Sequence, residues 1–482
     1  MLCVLIGHNY INEVQTVAQV FAPGGAANSV KLHFQATQRL EVGYTVETVI
    51  GEDEAAAFVY KDGSLVSEYT WLFSEMTEFL NKRRVLMLCM YHALQRAIGV
   101  HTPWGSLTGI RPSKLVREWM DAGHQEEKIL DVLTGTYCCQ AEKARLAITV
   151  AHAEKRLTPP PNTIGIYVSI PFCPTRCVYC SFNTSQKPAD ADLQTRYSAA
   201  LIGECFEKAK QAQAMGATIS SIYIGGGTPT VLSENLLEKV LDAIGAAFGL
   251  LTKSDIEYTV EAGRPDTLTP EKLSLLRRYG VNRIAVNPQT LNDRTLSTIG
   301  RGHTAADFFA AFEMARDAGF ASINTDLIAG LPNETTGDMQ RNMEALSKLS
   351  PENITIHTLA LKRASQLKEN LRANPVGLLD ESDIHPPVAE MLNCAADACA
   401  AMGLFPYYLY RQKNMVGLLE NVGYSRPGHE CLYNIGMMAE VQTILGIGAG
   451  AVSKFVDLEN NKISREFNAK NPEIYIERRN FS

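Results

Sequence analysis

The rhythm of hydrophobic and polar positions changes part-way along this chain of 482 residues. The apolar start, MLCVLIGHNYINE, reads as a first strand, and strand-like runs follow at Val30 (VKLHFQAT) and Val42 (VGYTVETVI). A helical region is predicted from near Trp71 towards Ala97 and a second from about Lys114 to His152. Between them HTPWGSLTGIRPSK, from His101, forms an ordered loop if Trp104 and Ile110 are buried, which composition alone does not show. Residues 1–155 therefore predict an α+β domain, to which the pattern assigns no task.

Consecutive prolines in LTPPPNT, Leu157 to Thr163, exclude helix and central strand and mark a boundary. Beyond it short apolar runs recur at helix-length intervals: GIYVSI (Gly165), SIYIGG (Ser221), DIEYTVE (Asp255), RIAV (Arg283), SINTDLI (Ser322) and NITIHTLA (Asn353). That is the rhythm of parallel strands joined by crossover helices. The helices carry their own start signals. Thr269 caps ahead of Pro270 and Glu271, and Thr304 with Asp307 forms a capping-box pattern before the inner-face residues Phe308, Phe312 and Ala315. Six units predict an α/β fold, an open or partial (β/α)6 barrel over residues 160–380, whose chemistry gathers at the C-terminal ends of its strands. From about Asp380 the rhythm fades into a helical stretch (VAEMLNCAADACAAMG), an aromatic-rich segment and a Gly-rich one, read as a smaller C-terminal module over residues 381–482.

Composition narrows the class. With 46% hydrophobic and 20% charged residues the chain is an ordinary globular one, and its longest apolar runs, such as Val85 to Met90, are far short of a membrane span. The N-terminus lacks a basic leader and a small-residue cleavage site, so a cytoplasmic protein is expected. A net charge of -7 argues against a general nucleic-acid binder. Eleven cysteines, three of them within eight positions, fit a reducing compartment with one metal site better than a disulfide scaffold.

Those three are Cys173, Cys177 and Cys180, in IPFCPTRCVYCSF just beyond a strand. A C-x3-C-x2-C loop can wrap three thiolates around one iron–sulfur cluster, leaving one iron of four open to a small molecule. Zinc is the alternative on spacing alone, but it takes a fourth protein ligand, and neighbouring Phe182 and Asn183 supply none. The turn GGGTPT, Gly225 to Thr230, lets backbone approach a ligand closely. Glu261, Gln289, Arg301 and Asp326 lie at or after successive strand ends, where they suit a zwitterionic ribose-bearing ligand. Each alone reads equally as a surface ion pair or a cap.

The cysteine motif in this strand-end context resembles the radical SAM superfamily. YVSIPFCPTRCVYCSF together with GGGTPT is similar to the oxygen-independent coproporphyrinogen III oxidase (coproporphyrinogen dehydrogenase) family, and nearest its HemZ type, whose LTGIRP (Leu107 to Pro112), NPQT (Asn287 to Thr290) and RQKNMVGLLENVGYS (Arg411 to Ser425) features the chain carries. The resemblance implies a [4Fe-4S] cluster on Cys173, Cys177 and Cys180 and S-adenosyl-L-methionine as cofactor. It places Gly226, Gly227 and Thr228 along the methionine part of that cofactor, Glu261, Gln289, Arg301 and Asp326 around it, the ring of Tyr167 near the cluster and the backbone of Ala360 near the adenine. It implies coproporphyrinogen III as substrate, two of whose propionates become vinyl groups in heme biosynthesis, with a low-potential electron donor and a final electron acceptor as partners. Lys362 and Arg363 are candidates for propionate contacts.

Two features pull elsewhere. Classical members carry a fourth cysteine at the position of Phe182, and the heme-chaperone branch of the family carries phenylalanine there, so a heme chaperone is the alternative. An RNA-modifying radical enzyme is a second, which the acidic balance opposes. His429 and Cys431 could ligate heme iron or fill a loop, while GIGAG, Gly446 to Gly450, departs from a dinucleotide fingerprint and reads as a packing turn.

Overall fold

The computed structural model describes residues 1–21, 31–34, 42–109, 111–180, 190–249, 256–360, 387–412, 415–460 and 462–480. The chain forms two compact units, Met1–Ala151 with Arg411–Asn414, and His152–Tyr410 with Met415–Ser482. No helix among the described residues is long and apolar enough to cross a membrane.

In the first unit β1 (Leu2–Ile6) leads through α1 (Ile11–Phe21) to β2 (Lys31–Phe34), β3 (Tyr44–Ile50), β4 (Glu54–Lys61) and β5 (Ser64–Leu72). The sheet order is β2-β1-β3-β4-β5, parallel among the first three and antiparallel thereafter. Trp71 lies in β5, and the helix expected there begins at Lys82: α2 (Lys82–Ile98) starts where the Asn81 side chain accepts from the Arg84 amide and ends at left-handed Gly99. Val85, Cys89, Ala93 and Leu94 of α2 pack with Val14, Val17 and Phe21 of α1 against Leu5, Val46 and Val59 of the sheet. The second helical stretch is broken into α3 (Pro112–Asp121), α4 (Glu126–Asp131) and α5 (Ala141–Arg156). Trp104 is buried, with the Arg411 guanidinium 5.6 Å from its ring, so the LTGIRP loop and the start of RQKN share one unit. Ile110 lies outside the described residues.

The second unit is built on one sheet of eleven strands. All six predicted runs are strands: β6 (Thr163–Ile170), β7 (Thr218–Gly226), β8 (Glu257–Glu261), β9 (Arg283–Ala285), β10 (Ser322–Ala329) and β11 (Asn353–Thr358). They are parallel neighbours in chain order, and between them run α6 (Ala191–Ala214), α7 (Glu234–Phe248), α8 (Pro270–Arg278), α9 (Asp293–Thr298), α10 (Ala305–Asp317) and α11 (Thr336–Leu349). The expected caps are present: Thr269 accepts from the Lys272 amide, and Thr304 and Asp307 close a capping box ahead of buried Phe308, Phe312 and Ala315. Val168, Ile222, Val260, Leu327 and Ile356 of the strands are buried with Leu241, Leu276 and Leu346 of the helices. The result is an α/β fold with a parallel run of six strands that is extended at both edges.

On one edge β13 (Asn421–Ser425) pairs antiparallel with β11, and β12 (Phe405–Tyr410) with β13; the helix Val388–Ala401 comes before them. On the other, β14 (Thr443–Ile447) pairs parallel with β6, followed by β15 (Val452–Asp457) and β16 (Lys462–Phe467). The GIGAG turn after β14 packs as expected. Tyr197 donates to the carbonyl of Ser169 at 2.7 Å and accepts from the Ala449 amide at 2.8 Å. Beside it Glu204, fully buried, accepts from the Gly448 amide (2.7 Å), Asn468 Nδ2 (2.9 Å) and Tyr475 OH (2.6 Å), and pairs with Arg479. Removing the carboxylate takes one of the two acids that hold Arg479, Glu207 being the other, and strips the acceptor from the Gly448 amide and the Tyr475 hydroxyl. Glu204→Ala is expected to lower the unfolding free energy by about 3–5 kcal/mol in urea titration, whereas Asp192→Ala, which breaks an exposed pair with Arg196, should cost under about 1 kcal/mol.

Candidate functional site

The site starts where β6 and β7 end together. Ile170 pairs with Gly226, and the ladder continues beyond the strands: the Gly227 amide donates to Ile170 O at 2.8 Å and the Thr228 amide to Phe172 O at 2.7 Å. This lays the glycine turn along the residues that lead into Cys173. Gly226 has φ +106°, and a Cβ on Gly227 would stand 2.4 Å from the Phe172 carbonyl oxygen, so only glycine permits the approach. The Thr228 hydroxyl points at Cys173 Sγ, 3.5 Å away.

All three cysteines are free thiols, Cys177 buried and Cys173 and Cys180 half-buried. Burial pushes the Cys173 thiol up to about 11, Thr228 counters by hydrogen bonding, and the neighbouring charges of Cys180 and Cys177 add to the rise. Among the described residues no group of three His, Cys, Asp or Glu side chains is gathered closely enough to hold one ion directly. An all-thiol set of three, one short of the four ligands of a closed zinc site, suits the soft iron of an iron–sulfur group.

The polar residues at the strand ends form a connected set. Glu261 closes β8; its Oε1 accepts from Tyr223 OH at 2.7 Å and its Oε2 from the Gly226 amide at 3.2 Å. Burial lifts its carboxyl to about 7, against the lowering effect of the Tyr223 hydroxyl and with a further rise from Asp326. Tyr223 stacks on Tyr167 of β6 at 6.3 Å and on Tyr433 at 4.6 Å. Asp326 lies in the middle of β10 rather than at its end, because the strand continues to Ala329. It accepts from Asn287 Nδ2 at 2.8 Å and Asn324 Nδ2 at 2.7 Å, and His357 Nε2 of β11 stands 3.6 Å away. Gln289, left-handed at φ +71°, bridges to β10 through its amide on Asp326 O at 3.0 Å. Arg301 is buried and donates to Gly263 O at 2.8 Å and to Asn287 O. Ala360, just past β11, makes an isolated bridge to Met415.

The predicted residues thus fall into two directly linked groups: Cys173 with Thr228, Gly226 and Gly227 against Glu261 and Tyr167, and Asp326 with Gln289 and, through Asn287, Arg301. Tyr223, Asn287, Tyr433, His357 and Arg264 were not singled out from the sequence. Tyr223 shares strand parity with Gly225, and Asn287 lies in NPQT, which was a usable signal; Tyr433 carried none. Lys362, Arg363, Phe182 and Asn183 lie outside the described residues. Buried Cys431 donates to Glu257 Oε1 at 3.2 Å, while the same carboxylate accepts from the Leu432 and Tyr433 amides, a packing role for this segment.

Parallel strands in chain order with three thiols beyond the first define a radical SAM protein, and the Radical SAM superfamily model matches residues 167–346. The chain is 38% identical over 429 residues, 87% of its length and 84% of the relative's, to the oxygen-independent coproporphyrinogen-III oxidase-like protein HemZ of Bacillus subtilis. It is 33% identical to the heme chaperone HemW of the same organism, over 59% of the chain and 69% of that protein. The fold is shared with coproporphyrinogen III oxidase HemN of Escherichia coli, at TM-score 0.51 and 21% identity over 69% of this chain and 72% of that one. The chain belongs to the HemZ/HemN-type coproporphyrinogen oxidase family of radical SAM proteins.

The NPQT turn also depends on a buried acid. Glu334 accepts from Thr290 Oγ1 at 2.5 Å, and burial raises its carboxyl from 4.5 to about 7. The native state then holds this proton more tightly than the unfolded chain, so stability contributed below pH 4.5 is lost as pH rises through 7. Glu334→Gln should remove about 3 kcal/mol of that decline between pH 4.5 and 8, read by denaturant titration at each pH; Glu261 adds a decline of the same sign and His303, lowered to about 4, an opposing rise that both proteins share. An unchanged slope would refute the burial argument.

Proposed function

We propose that the chain is an oxygen-independent coproporphyrinogen III oxidase that converts two propionates of coproporphyrinogen III to vinyl groups, giving protoporphyrinogen IX in heme biosynthesis. The observation that carries this is the relationship to HemZ over 87% of the chain, with a glycine turn and Glu261 set beside the cysteine loop. Each conversion removes one hydrogen atom from a propionate β-carbon, one electron and CO2. When bound, the [4Fe-4S] cluster and S-adenosyl-L-methionine supply a 5'-deoxyadenosyl radical on one-electron reduction, and that radical takes the hydrogen atom.

Cys173, Cys177 and Cys180 hold the cluster. Gly226, Gly227 and Thr228 line the methionine part of S-adenosyl-L-methionine with backbone groups, Glu261 and Asp326 accept from its ammonium and ribose hydroxyls, Gln289 adds an amide, and Arg301 meets a carboxylate. Tyr167 borders the cluster and the Ala360 backbone borders the adenine. The parallel strands β6 to β11 act as a partial (β/α)6 barrel spanning residues 160–380, whose wall keeps water from the reacting carbon. Residues 381–482 form a module on the substrate side, and residues 1–155 a further domain. A low-potential donor delivers the electron and a separate acceptor removes the one lost by substrate.

A heme chaperone is the second reading, favoured by Phe182 and by the likeness to HemW. The two separate in one experiment. Without oxygen, with coproporphyrinogen III, excess S-adenosyl-L-methionine, a low-potential donor and an electron acceptor, an oxidase releases CO2 and yields first a three-propionate and then a two-propionate product by mass spectrometry, consuming one S-adenosyl-L-methionine per propionate. Unchanged tetrapyrrole mass with an intact cluster and stoichiometric hemin uptake would establish the chaperone instead.

Anaerobic protein is expected to carry about four irons and four sulfides per chain. Replacing any one of Cys173, Cys177 or Cys180 by alanine should abolish stable assembly or activity, while Cys431→Ala leaves iron unchanged. Glu261→Gln or Asp326→Asn should weaken S-adenosyl-L-methionine binding by about tenfold or more with iron content retained; equal dissociation constants would remove these residues from the cofactor site.

A further inference from the structure

Arg264 follows β8 and is 2% exposed, one of the largest fully buried side chains of the protein. It was not singled out by its sequence context, and none of the roles assigned above uses it. Its Nη2 donates to Thr175 Oγ1 at 2.9 Å and its Nη1 to Thr175 O at 3.4 Å, so both ends of the guanidinium fork grip one residue between Cys173 and Cys177. The same Nη1 stands 3.9 Å from Cys177 Sγ. Its Nε donates to Asp266 Oδ1 at 3.2 Å and its Nη2 to Oδ2 at 3.4 Å, a two-point pair with a carboxylate that is itself a quarter exposed.

The loop is held from a second side at the turn after α9. Thr175 Oγ1 donates to Gly300 O at 2.8 Å, and the Val178 amide donates to Ile299 O at 3.1 Å. Thr175 therefore links the turn after β8 and the turn after α9 through the cysteine loop, with Arg264 as the charged member. A buried guanidinium costs several kcal/mol to desolvate unless negative charge answers it nearby. The partly exposed Asp266 answers part of that charge, and neutral thiols add little. Thiolates carrying an anionic iron–sulfur group answer much more, because two charges about 4 Å apart in a buried site interact strongly.

We infer that Arg264 is a positioning residue for the cluster: it latches the cysteine loop through Thr175 and supplies a buried cation that answers part of the charge of the group held there. The inference rests on the cluster reading given under the proposed function. Reduction adds negative charge, so a cation beside a sulfur ligand stabilises the reduced form and raises the potential; hydrogen bonds to the sulfurs act in the same direction. Arginine suits both tasks, since its planar fork spans the Thr175 carbonyl and hydroxyl while the charge stays fixed.

The test compares the full chain with Arg264→Met, which removes charge and fork at similar volume, and Arg264→Lys, which keeps the charge but loses the fork. Far-UV circular dichroism and thermal unfolding confirm that each variant is folded. The reduction potential of the reconstituted cluster is read by dye-mediated titration followed by electron paramagnetic resonance, without S-adenosyl-L-methionine, and amide exchange at Val178 is read in iron-free protein. R264M should have a more negative potential than the parent, R264K should stay near the parent, and Val178 should exchange faster in both. An R264M potential equal to the parent's overturns the counter-charge. If R264M assembles no cluster, the iron-free proteins decide: Val178 exchange as slow as in the parent overturns the latch, and faster exchange sustains it. A parent chain that assembles no cluster overturns the cluster reading and this inference together, whereas a cluster-bearing parent beside an R264M variant of unchanged potential overturns the inference alone.

Discussion

Two backbone hydrogen bonds, Gly227 to Ile170 and Thr228 to Phe172, extend the ladder between the first two parallel strands past the sheet edge, and the site depends on them. They bring a glycine turn against the residues before Cys173 without any side chain intervening. Because the pairing is main chain to main chain, its geometry is set by strand register, which the buried alternation of Val168, Ile170, Ile222 and Ile224 secures. Glu261 then binds the same turn from β8, and Asn287 and Asp326 continue the chain of contacts to β9 and β10. Each strand end thus contributes a polar group to a neighbour already positioned by the one before.

Much of this was legible in residue patterns, for identifiable reasons. Buried parallel strands read as short apolar runs, and all six were found. Thr269, Thr304 and Asp307 cap their helices as local chemistry requires, because a cap interacts within four residues of itself. Trp71 shows where such reasoning stops: WLF and the apolar residues around it suit a strand as well as a helix start, and pairing of Ala55 with Trp71 decided for the strand. Asp326 was placed at a strand end although β10 runs three residues further, since strand termini depend on the neighbour, here Thr358 opposite Ala329.

The site residues that were missed share another property. Arg264, Tyr433 and His357 act across long sequence separations and sit in segments without a motif of their own. No sequence pattern marks Arg264; only the fold shows it buried against Thr175. Tyr433 joins Tyr223 and Tyr167 in one stack although it comes from the far end of the chain. Local patterning reports the scaffold well and the convergence of distant side chains poorly, because convergence is a property of topology.

The pairing of β14 with β6 has a consequence for how the protein is made. β6 leads directly into the cysteine loop, yet one of its two neighbours comes late in the chain: Ser169 and Ala449, which hydrogen-bond to each other, are 280 positions apart. During synthesis the cysteine-bearing strand therefore spends most of translation as a bare sheet edge, open to pairing with the wrong segment or with another nascent chain. Cys173, Cys177 and Cys180 are made long before the strand that completes the sheet behind them. The sheet around β6 is therefore complete on both sides only once β14 has been made.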